Sequence, residues 1–394
     1  MSLGKRLKER RARAALTQTD ASHSVGVPRE LISMWENGTR VPNVRQLEEL
    51  AMLYQSSVDY LLGKESLDQK HEREVFYRGL PEDPKVRMEL ERWLNFLDEW
   101  ADLLQDLGEQ EKLTGPKKPP RGLDEGQVTD SRRASKLAMK VRDHYRLGKD
   151  AIPNLYAFLD SQNVLVCRAS LGSVGKDGIL GAFFNHPRLG YCILVNADTT
   201  PGRQAFTLAH EFAHALYHYP SGGIICRKDF GYDPKERFAD TFAAHFLVPA
   251  KELRQLLENE KGVEYLDAYE ALRLAAYFRV SYATLLYRLR EENLIDRERY
   301  ESLKMYSPSS MARYLDLDSE DFEIPEPKLL HLERYPVSVV EQIVRAIEDD
   351  KLTVAQAGDI LSVDPYTLQQ QIKLVIAPPK AKAAEVREFE ELPF

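Results

Sequence analysis

Cysteine is scarce in this chain: Cys167, Cys192 and Cys226 are the only three in 394 residues, and no two form a Cys-x-x-Cys pair. That excludes a disulfide framework and predicts reduced, buried thiols in a protein of the cytoplasm. Long apolar runs are missing as well. No stretch reaches the roughly 18 residues a membrane helix needs, and Met1-Ser2-Leu3-Gly4-Lys5 has no apolar signal-peptide core. Neither membrane association nor secretion is expected. There is no surplus of positive charge either. The formal net charge of −8 excludes general coating of nucleic acid and still permits a local basic patch. A hydrophobic content of 43% with 29% charged residues is ordinary for a globular protein, and the length suggests two or three domains.

What is present centres on residues 207–216, Thr-Leu-Ala-His-Glu-Phe-Ala-His-Ala-Leu, a helix-favouring stretch without Gly or Pro. Side chains four apart lie on one helix face, so His210 and His214 can aim two imidazoles at one point, which suits a zinc ion. Glu211 then stands beside the metal, placed to take a proton from an attacking water. The bland alternative is a buried helix with two satisfied histidines. Residues 236–249 carry Phe238, Ala239, Phe242, Phe246 and Leu247 at helical spacing and stop near Pro249. Glu236 can supply a third ligand, and Asp240, one turn on, can hold the free ring nitrogen of a ligating histidine. This is the layout of thermolysin-like zinc peptidases. "FTLAHEFAHALYH" followed by "ERFADTFAAHFLVP" resembles the ImmA/IrrE family of zinc metallopeptidases over about residues 153–294, with Asp240 where that family usually has Asn. The resemblance implies a peptidase that cleaves a helix-turn-helix repressor and so releases the genes it silences.

The chain opens with Lys5, Arg6, Lys8, Arg10, Arg11 and Arg13, opposed only by Glu9. Short helices are expected beyond it. One starts at Thr17-Gln18 and carries Ala21, a turn follows at Val25-Gly26-Val27, and the next runs from Pro28, as a first helical residue, through Trp35. After a loop comes an amphipathic helix with Leu47, Leu50, Ala51 and Leu53 on one side. Helix, Gly turn, helix is the geometry that lays a recognition helix in the major groove. "LTQTDASHSVGV", "ISMWENGTRVP" and "LAMLYQSSVDYLLG" resemble the XRE, lambda-repressor-like domain, with Asp20-Ala21 replacing the usual Leu-Ala pair. The resemblance implies that Gln18 touches a phosphate of double-stranded operator DNA. It places Arg29, Glu30, Ser33 and Met34 at base edges; Arg40 in the following loop is a further phosphate contact. A helical domain used only for protein contacts is the alternative. Because one such module reads a half-site, a homodimer is expected.

Between these segments, Leu90, Trp93, Leu97, Trp100, Leu104 and Leu107 recur at coiled-coil steps, widened by Leu94, Phe96 and Leu103. Both a dimer zipper over 85–108 and a helix docked on its own domain fit that pattern. "TGPKKPPRGLDEGQ" reads as a flexible connector open to proteolysis, and a helix is expected over 131–145. A short helix over 155–159 precedes apolar runs at 164–167, 179–184 and 191–195, which predict a small, mostly antiparallel sheet. Residues 190–196 directly precede the active helix, and an exposed edge there could pair with an extended substrate. His218 lies two turns from His210, about 12 Å along a straight helix, so it is read as packing or supporting rather than ligating. His245 is read as a partly exposed surface histidine, with an oxyanion role as the sharper alternative; Arg203 is left open. Helical patterns at 339–363 include Thr353 as an N-cap, and the tail from Ala377 is expected to be mobile.

The fold class expected is α+β, mainly α. Residues 1–66 form an all-α helix-turn-helix domain and 67–150 a helical linker. Residues 151–295 form a zincin-like peptidase domain with the small sheet, and 296–394 a helical C-terminal region. The function expected is a cytoplasmic DNA-binding regulator with Zn2+-dependent endopeptidase activity. It would cleave a helix-turn-helix repressor or antitoxin, or itself, to derepress stress, mobile-element or defence genes. The alternatives are a non-proteolytic transcription factor with a zinc- or ligand-sensing domain, and a toxin-antitoxin component. A closed structural zinc wants four protein ligands and would leave Glu211 without a purpose.

Overall fold

Thr17 begins the second helix by a reciprocal cap: its hydroxyl accepts from the Asp20 amide while the Asp20 carboxylate accepts from the Thr17 amide. The unusual Asp20 is therefore a capping residue, and the neighbouring Ala21 alone enters the core. The computed structural model describes residues 3–13, 16–54, 58–62, 83–109, 115–173, 178–219, 223–227, 233–260, 266–315, 317–318, 322–324 and 331–376. It divides into two compact units, Met1–Gly79 and Leu80–Phe394.

The first unit holds α1 (Leu3–Arg13), α2 (Gln18–Val25), α3 (Arg29–Asn37), α4 (Val44–Leu53) and α5 (Val58–Leu62). Leu7, Ala21, Ile32, Trp35, Leu47, Leu50 and Leu61 meet in its core. Gly26 ends α2 at φ +66°, a left-handed turn that glycine adopts without strain. Pro28 is the residue before α3 rather than its first helical one. The basic opening run is itself a helix, and part of it is structural. Arg6 Nε donates to the Leu61 carbonyl, Arg10 to that of Tyr54, and Arg11 to both oxygens of buried Glu36.

The second unit is built on a four-stranded sheet of order β1-β3-β2-β4: β1 (Leu165–Ala169), β2 (Ile179–His186), β3 (Gly190–Asn196) and β4 (Gly223–Arg227). β2 pairs antiparallel with β3 and β4, and β1 parallel with β3. Apolar runs in the sequence predict three of these strands; β4 was hidden behind the Gly222-Gly223 pair. The strand before the active helix, β3, is interior and buried on both faces. The edges are therefore β1 and β4.

On one sheet face, Phe183, Tyr191, Ile193 and Val195 join a core with α9 (Pro201–Tyr217) and α10 (Pro234–Leu247). Phe238, Phe242 and Phe246 stack at one-turn spacing along α10, with ring centroids 6.4 and 5.5 Å apart. Each such buried side chain contributes on the order of 2 kcal/mol. Alongside pack α7 (Ala134–His144), α8 (Leu155–Ser161), α12 (Ala268–Phe278) and α13 (Tyr282–Glu291). At the opposite sheet face lies α6 (Pro84–Asp106), whose Asp98 meets His186 and whose Phe96 ring lies tilted against Tyr335, centroids 4.6 Å apart. Leu90, Trp93, Leu97, Trp100 and Leu104 are all buried within the chain. The heptad seam is spent on the helix's own domain, so a zipper through that face has no exposed surface to use.

The Pro-rich connector also departs from expectation. Gly115 and Pro116 pair with Leu189 and Tyr191, and Leu123 and Val128 are buried, so residues 115–128 form a packed strap rather than a loose linker. Farther on, Thr353 caps the helix Val354–Ile360 through a reciprocal bond with Gln356. The tail from Ala377 lies outside the described residues.

Candidate metal centre

Helical spacing sets His210 and His214 one turn apart on α9, and Glu236 enters from the first turn of α10. The three groups converge. His210 Nε2 and His214 Nε2 are 3.0 Å apart, with Glu236 oxygens 3.1 Å from the first and 3.4 Å from the second. Tetrahedral zinc with bonds of about 2.0–2.3 Å spaces its ligand atoms roughly 3.3–3.7 Å apart. The cluster has that scale.

The outer ring nitrogens decide which atoms face inward. His210 Nδ1 lies 2.9 Å from Asp240 Oδ1; a carboxylate accepts, so Nδ1 carries the hydrogen and Nε2 presents a lone pair. His218 Nε2 lies 2.8 Å from the Val128 carbonyl, which also only accepts. His218 Nδ1 is therefore an acceptor for His214 Nδ1–H, 2.8 Å away, and His214 Nε2 likewise presents a lone pair. His218 thus supports a ligand without being one. Its place under His214, tied to the buried strap, could not be read from spacing alone.

Two imidazole lone pairs and a carboxylate at this separation repel unless a cation lies among them. A proton competes for the position. Burial depresses the His210 imidazole most of any single influence, yet Asp240 and Glu236 hold it well above its ordinary value. Burial lowers His214, and it pushes His218 down to about 3, the neutral state its relay needs. Burial opposes ionisation of Glu236, but bonds from both histidines hold it well below the carboxylate range. One proton on His210 satisfies Glu236 and leaves His214 unpaired; a divalent cation satisfies all three. The donor set fits zinc.

Glu211 is fully buried beside this cluster, and neither carboxylate oxygen has a hydrogen-bond partner. Burial pushes its carboxyl up to about 8, with the His210 imidazole pulling the other way. A free acceptor at a metal is what a general base requires. Space for it comes from Gly181 on β2, where a Cβ would stand 2.9 Å from Glu211 Oε1 and 2.7 Å from Thr207 Cγ2. An isolated glycine inside an apolar strand was the one available sign of this close approach. Cys226 on β4 completes a group with His210, His214 and Glu236 whose ligand atoms all lie within 4.8 Å of one another.

Other candidates fall elsewhere. His245 bonds Arg288 and Glu291, away from the cluster, so the oxyanion alternative has no geometric support. Arg203 is near enough to Asp240 to feel its charge, with a buried, unpartnered Nε. In the first unit, Arg29, Glu30 and Met34 are exposed and Ser33 half-buried on the outer face of α3, opposite buried Ile32 and Trp35. Arg40 is exposed. Gln18 donates its side-chain amide to Glu36, so one of its hydrogens is already committed inside the unit.

Residues 159–290 match the family described as the IrrE N-terminal-like domain, and residues 7–61 match the family described as Helix-turn-helix. The chain is 39% identical over 82 residues to the HTH-type transcriptional regulator ImmR of Bacillus subtilis (strain 168). That match covers 21% of this chain and 65% of that protein, so it spans less than two thirds of its relative. The crystal structure of ComR from Streptococcus suis aligns over 95% of both chains, at 10% identity and a TM-score of 0.15, too low to support any argument. Described residues include no helix long and apolar enough to cross a membrane. The chain therefore joins an XRE-type helix-turn-helix segment to an ImmA/IrrE-like domain of metallopeptidase type.

Proposed function

We propose that this protein is a DNA-binding transcriptional regulator with zinc-dependent endopeptidase activity. Its substrate is a helix-turn-helix repressor or antitoxin, or this chain itself, and its action derepresses the genes so silenced. One observation carries the reading: acceptor atoms of His210, His214 and Glu236 converge within 3.4 Å beside the unpartnered carboxylate of Glu211.

In this reading His210, His214 and Glu236 hold zinc, which when bound polarises a scissile carbonyl and acidifies water. Asp240 and the His218–Val128 relay keep the two imidazoles in the tautomer that ligates. Glu211 takes a proton from the attacking water and delivers it to the leaving amine. The outer edge of β4, beside the centre, is the natural place for an extended peptide to add as a strand. The relative's name, a transcriptional regulator, supports the regulatory half, and the exposed face of α3 supplies side chains suited to base edges.

Glu211→Gln tests the proposal. The amide keeps the shape and all three ligands, so zinc content and operator binding stay unchanged. Cleavage of helix-turn-helix proteins encoded beside the gene, and of the chain itself, falls by about 10²- to 10⁴-fold. Gene induction that persists in the Glu211→Gln strain leaves the zinc-sensing, non-proteolytic regulator as the better account.

A further inference from the structure

We infer that Cys226 is a fourth ligand of this metal centre, a thiolate that closes it against water in the resting protein. The inference rests on the zinc reading above but not on turnover.

Strand register brings the thiol there. Cys226 is the cross-strand partner of Gly181, at a register shift between Ile179 and Gly181 in β2. Partners in an antiparallel pair project to the same face, and the face of Gly181 is the one that meets Glu211 on α9. A bulge beside a site is a common means of aiming a side chain into it. The result is a compact set of four buried groups, two imidazoles, a carboxylate and a thiol, with ligand atoms within 4.8 Å of one another. Two imidazoles, one carboxylate and one sulfur make a full tetrahedral complement for zinc.

The thiol has little else to do. Its hydrogen bond to Glu236 Oε1 is 4.0 Å long, at the outer limit for a sulfur donor. A second feature points inward independently: the fully buried Glu211 carboxylate, without a hydrogen-bond partner, meets Gly181, the cross-strand partner of Cys226. As the ion binds, the S–H bond breaks, the proton passes to water and the sulfur lone pair goes to the ion. No oxidant or reductant is needed. With the fourth position filled, the centre has no open site, and opening it requires the thiolate to leave the ion.

Cobalt substitution reads this out without any substrate. Wild-type protein loaded with one equivalent of Co2+ should show a thiolate-to-cobalt charge-transfer band in the near ultraviolet. Cys226→Ser should bind one equivalent and lose the band. Azide, a small anion that enters open metal positions, should shift the visible cobalt bands of Cys226→Ser and leave those of the wild type unchanged. Cys167 and Cys192 cannot substitute as the source, since both are buried in the sheet away from the cluster. X-ray absorption of wild-type zinc protein, which needs no variant to fold, should find one sulfur at about 2.3 Å. One cobalt bound with no band, or a band that survives Cys226→Ser, overturns the inference and leaves the zinc reading intact. A wild type that azide shifts as readily as the variant overturns closure. Failure of the wild type to bind cobalt at all removes the zinc reading, and the inference with it.

Discussion

At the scale of single residues, the centre is governed by which nitrogen of each imidazole carries hydrogen. That choice is made by atoms outside the ligand set. His210 is held by Asp240, and His214 by His218, which is anchored on a backbone carbonyl that can only accept. Removing a supporting partner of this kind typically weakens metal binding about 10- to 100-fold. His218→Ala should therefore retain zinc at saturating metal and lose it to a competing chelator at roughly 10- to 100-fold lower chelator activity than the wild type. His214→Ala should fail to hold zinc at all. If His218→Ala competes as well as the wild type, the relay does not orient the ligand. Mechanism and support are in this way separable by metal analysis alone.

Among elements, the decisive contact is β2 against α9. Glycine at 181 lets the strand approach until Glu211 Oε1 and Thr207 Cγ2 occupy the space of a side chain. Gly181→Ala would bring a methyl within 2.9 Å of the Glu211 oxygen, and also of the Leu194 carbonyl, which belongs to a rigid neighbouring strand. The carboxylate is the part able to give way. Zinc stoichiometry should hold because no ligand is touched. Peptidase activity should drop by at least about tenfold, as expected when a catalytic group is displaced by an ångström or so. Equal activity with normal zinc would show that Glu211 does not need that position. The same principle, one element claiming another's surface, removed the coiled-coil option: the apolar face of α6 is buried within its own domain.

For the whole molecule, two compact units imply two assays that can fail independently. Arg29 and Ser33 project from the outer face of α3, whereas Ile32 and Trp35 on its other side hold the small core. Replacing Arg29 and Ser33 with Ala should weaken binding to the specific operator by about 1–3 kcal/mol per base-reading side chain and change binding to random DNA little. Arg40→Ala should weaken both DNAs alike and reduce the salt dependence by about one unit of slope. Titrations against operator and scrambled duplexes at several salt concentrations decide the matter. Equal weakening on both duplexes for Arg29 and Ser33 would remove them from base recognition. Neither set of changes should alter zinc content.

Much of this was legible in the sequence, because local chemistry reaches only a few residues along the chain. Four-residue spacing put His210 and His214 on one face of a helix, and apolar periodicity with Pro249 delimited α10. Thr17, Gly26 and Thr353 marked helix ends through caps and a positive φ that depend on immediate neighbours. Contacts made across long separations were not legible. Val128 meets His218 over 90 residues of chain. Cys226 reaches the cluster only because β4 pairs with β2, and the connector became a strap only because Gly115 and Pro116 found β3. Register and close approach depend on where distant backbones come to rest, and a period along the chain carries no record of that.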